Sequence, residues 1–188
     1  MTLDAEPACP GPVETLERLK AGGRLRAERF ALADIPRATW DGLAARTPWA
    51  TPFSGWAFQR AWWDAYGSNA HEETLVFIPA DAPPGVGAIE PTAIVPLMHR
   101  HEVEPEDALT HTTMRHGSDV ELTAVAPTDT AVFFGASYHA DYATILAAPG
   151  DLPAVAEALA AYLADPADRR PWDVVDLRRL RCGDHALR

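Results

Sequence analysis

The sequence predicts an α/β (α+β) fold, in which helices flank a mixed β-sheet. Two β-rich runs, at residues 74–78 and 92–103, are joined by a Pro/Gly-rich segment and read as an antiparallel hairpin. Later, a strongly periodic helix begins near residue 152, and an apolar strand follows at residues 172–177. Strand, helix and strand in this order predict a parallel crossover, so the sheet contains both strand directions.

The chain divides into a tail at residues 1–23 and one domain at residues 24–188. Pro, Gly and acidic residues dominate the first twelve positions, and a short helical run after them ends at Gly22 and Gly23. With 188 residues and 47% hydrophobic content, the chain can bury a substantial core. We therefore expect order to begin at about residue 24, where the first β-strand is predicted.

Charge and cysteine content narrow the function classes. The formal net charge of −11 argues against a general affinity for nucleic acid or an anionic membrane. The start of the chain lacks a basic and then apolar leader, and no apolar run is long enough to span a bilayer. Cys9 and Cys182 show no paired spacing, so neither a disulfide framework nor a zinc knuckle is suggested. The sequence thus predicts a cytoplasmic protein with neither a nucleic-acid nor a membrane partner.

The first helix follows the strand at residues 24–32. Asp34 is the expected N-cap, and Pro36 lies just inside, a position that proline favours. Trp40 and Leu43 fall on one side of this helix and are its predicted core positions.

The second helix is unusually aromatic, with six aromatic residues in positions 51–67. Ser54 is the predicted N-cap, and Phe53 and Phe58 are placed to form a hydrophobic staple across it. Gly67 is the predicted stop.

Helical geometry sorts these side chains onto two faces. One face can enter the core, whereas the other is either covered by another element or lines a cleft. We name the second face as a candidate substrate-binding surface, although simple packing remains an open alternative. The first face holds Phe58, Trp62, Ala65 and Tyr66, and the second holds Trp56, Gln59, Arg60 and Trp63.

The second half of the chain predicts two strands, one helix and a final strand. The strands are expected at residues 131–134 and 142–146, with a turn between them. Asp151 is the expected cap of the periodic helix. In the last strand Val174 and Val175 are apolar on both faces, which favours a central position in the sheet.

This element order, together with several short sequence motifs, resembles the GNAT acyltransferase fold. In particular, it resembles the first GNAT-like half of FemAB-type proteins, in the branch of CelD-like cellulose-biosynthesis acetyltransferases. The resemblance covers about residues 24–188. The motifs are Pro52-Phe53 with Trp56 and Ala61-Trp62-Trp63, then Ile94-Val95-Pro96-Leu97, Phe134-Gly135 with Asp141-Tyr142, and Trp172-Asp173-Val174-Val175-Asp176-Leu177-Arg178.

The resemblance implies a half-domain for acyl transfer to an amine. Family members carry two GNAT-like halves in tandem, and this chain resembles a first half that is truncated at its C-terminus. The expected partner is a second GNAT-like half or another copy of the chain, and the expected acceptor is a small-molecule amine. The chain would shape the acceptor cleft and be inactive alone. The substrate-binding candidates are Phe53, Trp56, Arg60 and Trp63.

No cofactor is expected on this half. A GNAT protein binds the coenzyme A pyrophosphate at a helix N-terminus, after an Arg/Gln-x-x-Gly-x-Gly/Ala loop. The corresponding residues 147–153 lack that motif, and Pro149 and Pro153 offer no N–H. The Asp151 carboxylate would also occupy the cap and repel phosphate. Acetyl-CoA is therefore expected only with a second half.

Asp141 and Tyr142 are the candidates for catalysis, because the resemblance places them where a substrate amine would approach. A carboxylate there can bind or deprotonate an amine. The competing interpretation is an Asp that ends a turn and a Tyr that begins a strand. A non-catalytic binding or assembly module that uses the Trp56/Trp63 face is the alternative function.

Two other constellations carry less weight. His99 and His101 point to one face of a predicted strand, and His111 and His116 lie further along the chain. No Cys or carboxylate stands at a spacing typical of metal ligands, so no metal site is predicted. A hydrolase relay would need Ser118 or Ser137 with His139 and Asp141. It lacks the Gly-x-Ser-x-Gly elbow.

Overall fold

The structure, a computed structural model, describes residues 25–67, 70–83, 90–100, 130–136, 139–165 and 172–187. These residues form three helices and two four-stranded sheets, which confirms the predicted α/β class. The predicted tail at residues 1–23 lies outside the described residues. The elements are β1 (Leu25–Arg29), α1 (Arg37–Arg46), α2 (Trp56–Tyr66), β2 (His71–Glu72), β3 (Leu75–Pro79), β4 (Ala93–Val95), β5 (Leu97–Arg100), β6 (Ala131–Phe134), β7 (Leu146–Ala147), α3 (Leu152–Ala164) and β8 (Val174–Asp176).

Two bent strands join the two sheets. The strand orders are β1-β3-β4-β7 and β2-β5-β6-β8. Only Glu73 and Thr74 separate β2 from β3, and only Pro96 separates β4 from β5. Strands β3 and β4 pair antiparallel, which confirms the predicted hairpin. The predicted second run extended to residue 103, and its last three residues lie outside the described ranges.

The fork lies where the chain leaves the sheet between β6 and β7. Strand β6 pairs with β5, with Phe134 opposite Leu97, and β7 pairs with β4, with Leu146 opposite Ile94. The described residues between these strands, 135–136 and 139–145, therefore make an excursion away from the β4 and β5 ladders. The prediction of a strand at residues 142–146 is wrong for most of its length. Only its last residue belongs to β7, and Ala143 forms an isolated bridge to Leu180.

The predicted parallel crossover is confirmed. After β7, helix α3 leads to β8, which pairs parallel with β6 in a register that sets Val175 opposite Val132. The predicted central position is wrong, because β8 is the last strand of its sheet among the described residues and Val175 is 41% exposed. Two consecutive apolar residues occur in a strand that is buried on both faces, and the same pattern arises when an edge strand carries an apolar residue on its exposed face.

Helices cover both faces of the sheet. Helix α3 covers one face, where its Val155 and Leu159 share a buried cluster with Phe77. Helix α1 contributes Trp40 and Leu43 to a cluster on the other face, as predicted. Each fully buried side chain of this kind stabilises the fold by about 1.5–3 kcal/mol. No helix within the described ranges has the length and apolar character needed to cross a membrane.

The helix starts differ from the predicted caps. Asp34 ends a 3₁₀ turn, and Pro36 is the N-cap of α1. Gly55, not Ser54, is the N-cap of α2, because Ser54 belongs to a 3₁₀ turn and its Oγ accepts a hydrogen bond from the Thr51 N–H at 3.2 Å. Short 3₁₀ turns before a helix shift the cap by one or two residues.

Other local predictions hold. The Phe53 and Phe58 rings meet edge to face, 5.1 Å between centroids. Gly67 ends α2, and a Cβ there would lie 2.5 Å from the Trp63 ring, so only glycine fits.

Asp151 is the N-cap of α3, but its carboxylate makes no capping hydrogen bond, which corrects the expectation that it would occupy the cap.

Candidate functional site

A narrow crevice opens at the fork, and we call it the fork crevice. Three segments form it: the entry turn and first residues of α2, the break between β4 and β5, and the described part of the excursion, at residues 135 and 140–144. Its volume is about 10 Å³, which is room for about one water-sized group. The residues that matter below are Phe53, Gln59, Pro96, Gly135, Tyr142 and Thr144.

Gln59 lines this crevice and carries a buried side-chain amide. Its side chain is 3% exposed, and its Nε2 donates to the carbonyl oxygens of Phe53 at 3.1 Å and Gly135 at 3.5 Å. Two carbonyl partners determine the amide orientation, since the opposite orientation would set Oε1 against both. Oε1 is buried and has no partner among the described residues. Leaving such an acceptor unpaired costs about 1–3 kcal/mol.

Gly135 packs closely beside this acceptor. A Cβ at residue 135 would lie 3.1 Å from Gln59 Oε1 and 3.5 Å from the Cβ of Pro96. Glycine therefore leaves space beside the amide oxygen that any other residue would reduce.

Tyr142 and Thr144 form the outer wall of the crevice, and the C-terminal segment holds them in place. The Arg181 guanidinium lies 5.4 Å from the Tyr142 ring centre and 5.8 Å from that of Trp49. Thr144 Oγ1 donates to the buried Asp184 carboxylate at 2.7 Å. A single-sequence pattern contains no sign of these long-range contacts.

The predicted site residues separate into two groups. Phe53 and Tyr142 line the fork crevice together, whereas Asp141, the residue before Tyr142, is exposed and does not line it. Trp56 and Trp63 do not line it. Both indoles are partly buried and pack against the cluster that contains Trp40.

Arg60 also lies away from the crevice. It forms an exposed i,i+4 ion pair with Asp64, at 2.8 Å. Exposed pairs of this type contribute only about 0.3–0.5 kcal/mol. The second face of α2 is thus mainly covered by its own domain, as the packing interpretation allowed.

His139 has a structural role. Its Nδ1 accepts a hydrogen bond from Trp62 Nε1 at 2.8 Å, and its ring stacks on Tyr66 with centroids 4.4 Å apart. Both candidate nucleophiles of the relay, Ser118 and Ser137, lie outside the described residues, as do His101, His111 and His116. Within the described ranges, no group of three His, Cys, Asp or Glu side chains could hold a metal ion.

Sequence reasoning missed a second polar region, which we call the buried glutamate cluster. Glu73 is fully buried, and it accepts a short hydrogen bond from the Tyr162 hydroxyl of α3. Arg29 Nη1 lies 3.4 Å and His99 Nδ1 lies 3.7 Å from its Oε2. The sequence did contain one sign of this cluster. Glu73 lies two residues before Leu75 of the apolar β3 strand, and side chains two residues apart fall on the same face of a strand.

The neighbouring Glu72 has a different environment. Its Oε1 accepts hydrogen bonds from the Leu32 N–H at 2.6 Å and the Thr74 hydroxyl at 2.9 Å. Burial raises the pKa of the Glu72 carboxyl, and these two hydrogen bonds and the Arg60 charge only partly oppose it.

The residues at the start of α3 do not fit a pyrophosphate. An open depression of about 300 Å³ lies there, lined in part by Arg46, Glu90 and Asp151. Its cation is already paired, since Arg46 Nη1 lies 2.8 Å from Glu90 Oε1. Two carboxylates and the N–H-lacking Pro149 and Pro153 make this helix end unsuited to an anion.

Comparison with known proteins adds no relative: the chain matches no protein-family model, no curated protein and no solved structure.

Proposed function

We propose that this chain is the acceptor-binding half of a GNAT/FemAB-like N-acyltransferase, which shapes the cleft for acyl transfer to an amine and is inactive alone. One observation supports the proposal most strongly. Phe53 and Tyr142 lie far apart in the sequence, and both belong to motifs on which the resemblance depends. They line the same crevice at the fork.

The chemistry of the crevice suits an amine acceptor. Aromatic walls accommodate an apolar stem, and a hydroxyl in the lining with a carboxylate on the preceding residue can receive or relay a proton from the nitrogen. In this proposal Asp141 and Tyr142 supply those groups. The net charge of −11 attracts a protonated amine to the protein surface.

The acyl donor belongs to another chain or domain in this proposal. The α3 start lacks the groups that would hold a coenzyme A pyrophosphate, so we assign no donor-binding step to these residues. A second GNAT-like half, or another copy of this chain, supplies the donor.

The test is reconstitution of acyl transfer. The chain is purified alone and then mixed with the product of the continuing or adjacent reading frame, with acetyl-CoA and a panel of small amines. Thiol release and the acetylated product are measured by absorbance and mass spectrometry. We expect turnover only in the mixture, reduced at least tenfold by Tyr142→Phe or Asp141→Asn and unchanged by Arg60→Ala.

Full activity of the chain alone would contradict the half-domain, and failure with every second half would contradict acyl transfer. The alternative, an assembly module at the Trp56/Trp63 face, predicts that Trp63→Ala weakens self-association in light scattering. The partial burial of both indoles gives it less support.

A further inference from the structure

One hydrogen bond joins α2 to the chain after β6, and it forms only while a histidine is neutral. We propose that the bond from Trp62 Nε1 to His139 Nδ1 is a pH-sensitive switch. It holds residues 139–143 against α2 at neutral pH and releases them when the imidazole is protonated. The inference does not depend on the proposed function, because it follows from contacts and from the chemistry of two side chains.

The two side chains determine how the bond depends on protons. An indole N–H is a donor only, so the ring nitrogen that it meets at 2.8 Å has to be an unprotonated acceptor. Protonation of His139 gives Nδ1 a hydrogen of its own, and two N–H groups then oppose each other. Turning the ring over would set a C–H against the indole, so neither orientation of the protonated ring keeps the bond.

The two partners differ in exposure. His139 is exposed, so protons reach its ring, whereas Trp62 is 3% exposed. Among the described residues, His139 is the one hydrogen-bond partner of the Trp62 indole. Protonation therefore leaves a donor unsatisfied in the interior until the chain around it moves.

The groups that face the ring do not replace the lost bond. From α2, the Tyr66 ring stacks on the imidazole with centroids 4.4 Å apart, a contact between ring faces that needs no proton. From the segment after β8, Arg179 Nη1 donates to the neighbouring Ala140 carbonyl oxygen at 3.3 Å, and it carries the same charge as a protonated imidazole. Asp141 is exposed two residues further on. In the described part of the chain no carboxylate contacts the His139 ring, so a protonated Nδ1 has no anionic partner there.

The backbone beside His139 favours release. Ala136 lies in the left-handed region at φ 58°, where a residue with a Cβ is strained. Its carbonyl oxygen accepts a hydrogen bond from the His139 N–H at 3.1 Å, so the strained turn ends at the switch. Strain of this type persists only while surrounding contacts hold it, and the Trp62 bond is one of those contacts. The residues that follow include Ala140 and Tyr142 of the fork crevice.

NMR of the full chain tests the switch. The Trp62 indole ¹H–¹⁵N signal, assigned by its absence in Trp62→Phe, and the His139 ring protons are followed from about pH 8 to about pH 5, the range in which histidine titrates. We expect both signals to change with one common midpoint. Amide hydrogen exchange of residues 139–143, corrected for the intrinsic effect of pH, should be roughly tenfold faster at the acidic end, while exchange in α3 is unchanged.

Three variants assign the response to His139. His139→Asn keeps a neutral acceptor, so exchange should stay slow at both ends of the titration. His139→Phe keeps a ring for Tyr66 to stack on but has no acceptor, so exchange should be fast at both ends. The matched control is His185→Asn, because the exposed His185 ring lies 5.8 Å from the Trp49 ring without accepting its N–H. It should respond to pH like the parent chain.

The outcomes are separate from those of the proposed function. An indole signal that does not change with pH, a response that persists in His139→Asn, or equal exchange of residues 139–143 at both ends of the titration would each overturn the switch. Acyl transfer does not enter these measurements, so a failed reconstitution would reject the proposed function and leave the switch intact.

Discussion

The buried glutamate cluster and the fork crevice both place a polar side chain in the interior, yet they differ in how it is satisfied. Glu73 has the Tyr162 hydroxyl, Arg29 and His99 around its carboxylate. Gln59 uses its two amide hydrogens, while its buried oxygen has no partner among the described residues. The first arrangement holds three elements together, whereas the second leaves one polar atom unsatisfied in the interior.

The energetics support this division. Removing Glu73 takes away the acceptor of a short hydrogen bond, which costs about 1.5–3 kcal/mol, and a pair with the half-exposed Arg29, which adds at most about 1 kcal/mol. An unpaired neutral acceptor costs less, about 1–3 kcal/mol. We therefore expect changes in the first region to affect folding more than changes in the second.

The largest expected effect comes from Glu73→Ala. It leaves the part-buried Tyr162 hydroxyl without its acceptor and the half-exposed Arg29 guanidinium without its partner, so the free energy of unfolding should fall by about 2–4 kcal/mol. Urea unfolding followed by Trp fluorescence measures it. The matched control is Glu90→Ala, which removes an exposed pair with Arg46 and should cost under about 0.5 kcal/mol. Equal effects of the two variants would contradict a structural role for the cluster.

Asp184→Ala should follow, with a loss of about 1.5–3 kcal/mol, since it removes a charged acceptor from the buried Thr144 hydroxyl. It also sharpens the comparison, because that bond holds the outer wall of the crevice. Amide hydrogen exchange should accelerate in residues 139–145 and remain slow in α3. Thr144→Val breaks the same hydrogen bond, and a double-mutant cycle should show that the two losses are not additive.

Glu72→Gln should change the pH dependence of stability. Burial raises the pKa of this carboxyl in the folded chain, so its contribution is fully present below the unfolded pKa and is lost as pH rises through the folded one. Glutamine keeps an oxygen for the Leu32 N–H and the Thr74 hydroxyl. The variant should therefore be at least as stable at pH 7, and chemical unfolding from pH 4 to 8 should show a flatter profile. An unchanged pH profile would argue against a raised pKa.

The smallest expected effect is that of Arg60→Ala. Its pair with Asp64 is exposed, so the change in unfolding free energy should stay within about 0.5 kcal/mol. Added salt should reduce even that difference. Loss of amine binding or activity in this variant would restore Arg60 as a site residue and move the site toward the second face of α2.

Elements with strong local patterns were predictable. The 3.6-residue period of α3, the β-rich hairpin and the strand after α3 are properties of neighbouring residues, and the structure confirms all three. The caps of α1 and α2 were each misplaced, because a short 3₁₀ turn precedes each helix and leaves little trace in composition.

The candidate site was only half predictable. Phe53 and Tyr142 were identified from sequence motifs, but Gln59 was identified only as a member of the second face of α2. The partners of its amide hydrogens are two backbone carbonyls, one of them at Gly135, and backbone groups carry no residue-specific signal. Glu73 was missed because its partners come from β1, β5 and α3.

The sequence by itself determined the α/β class, the three helices, the hairpin and the last strand, because side-chain periodicity and turn residues act over a few neighbouring positions. The tertiary structure alone decided where β8 lies in the sheet, that residues 139–145 lie outside the strand ladders, and that the buried Gln59 oxygen has no partner among the described residues. These outcomes depend on contacts between residues far apart in the chain, and on which polar atoms remain after every other hydrogen bond has formed.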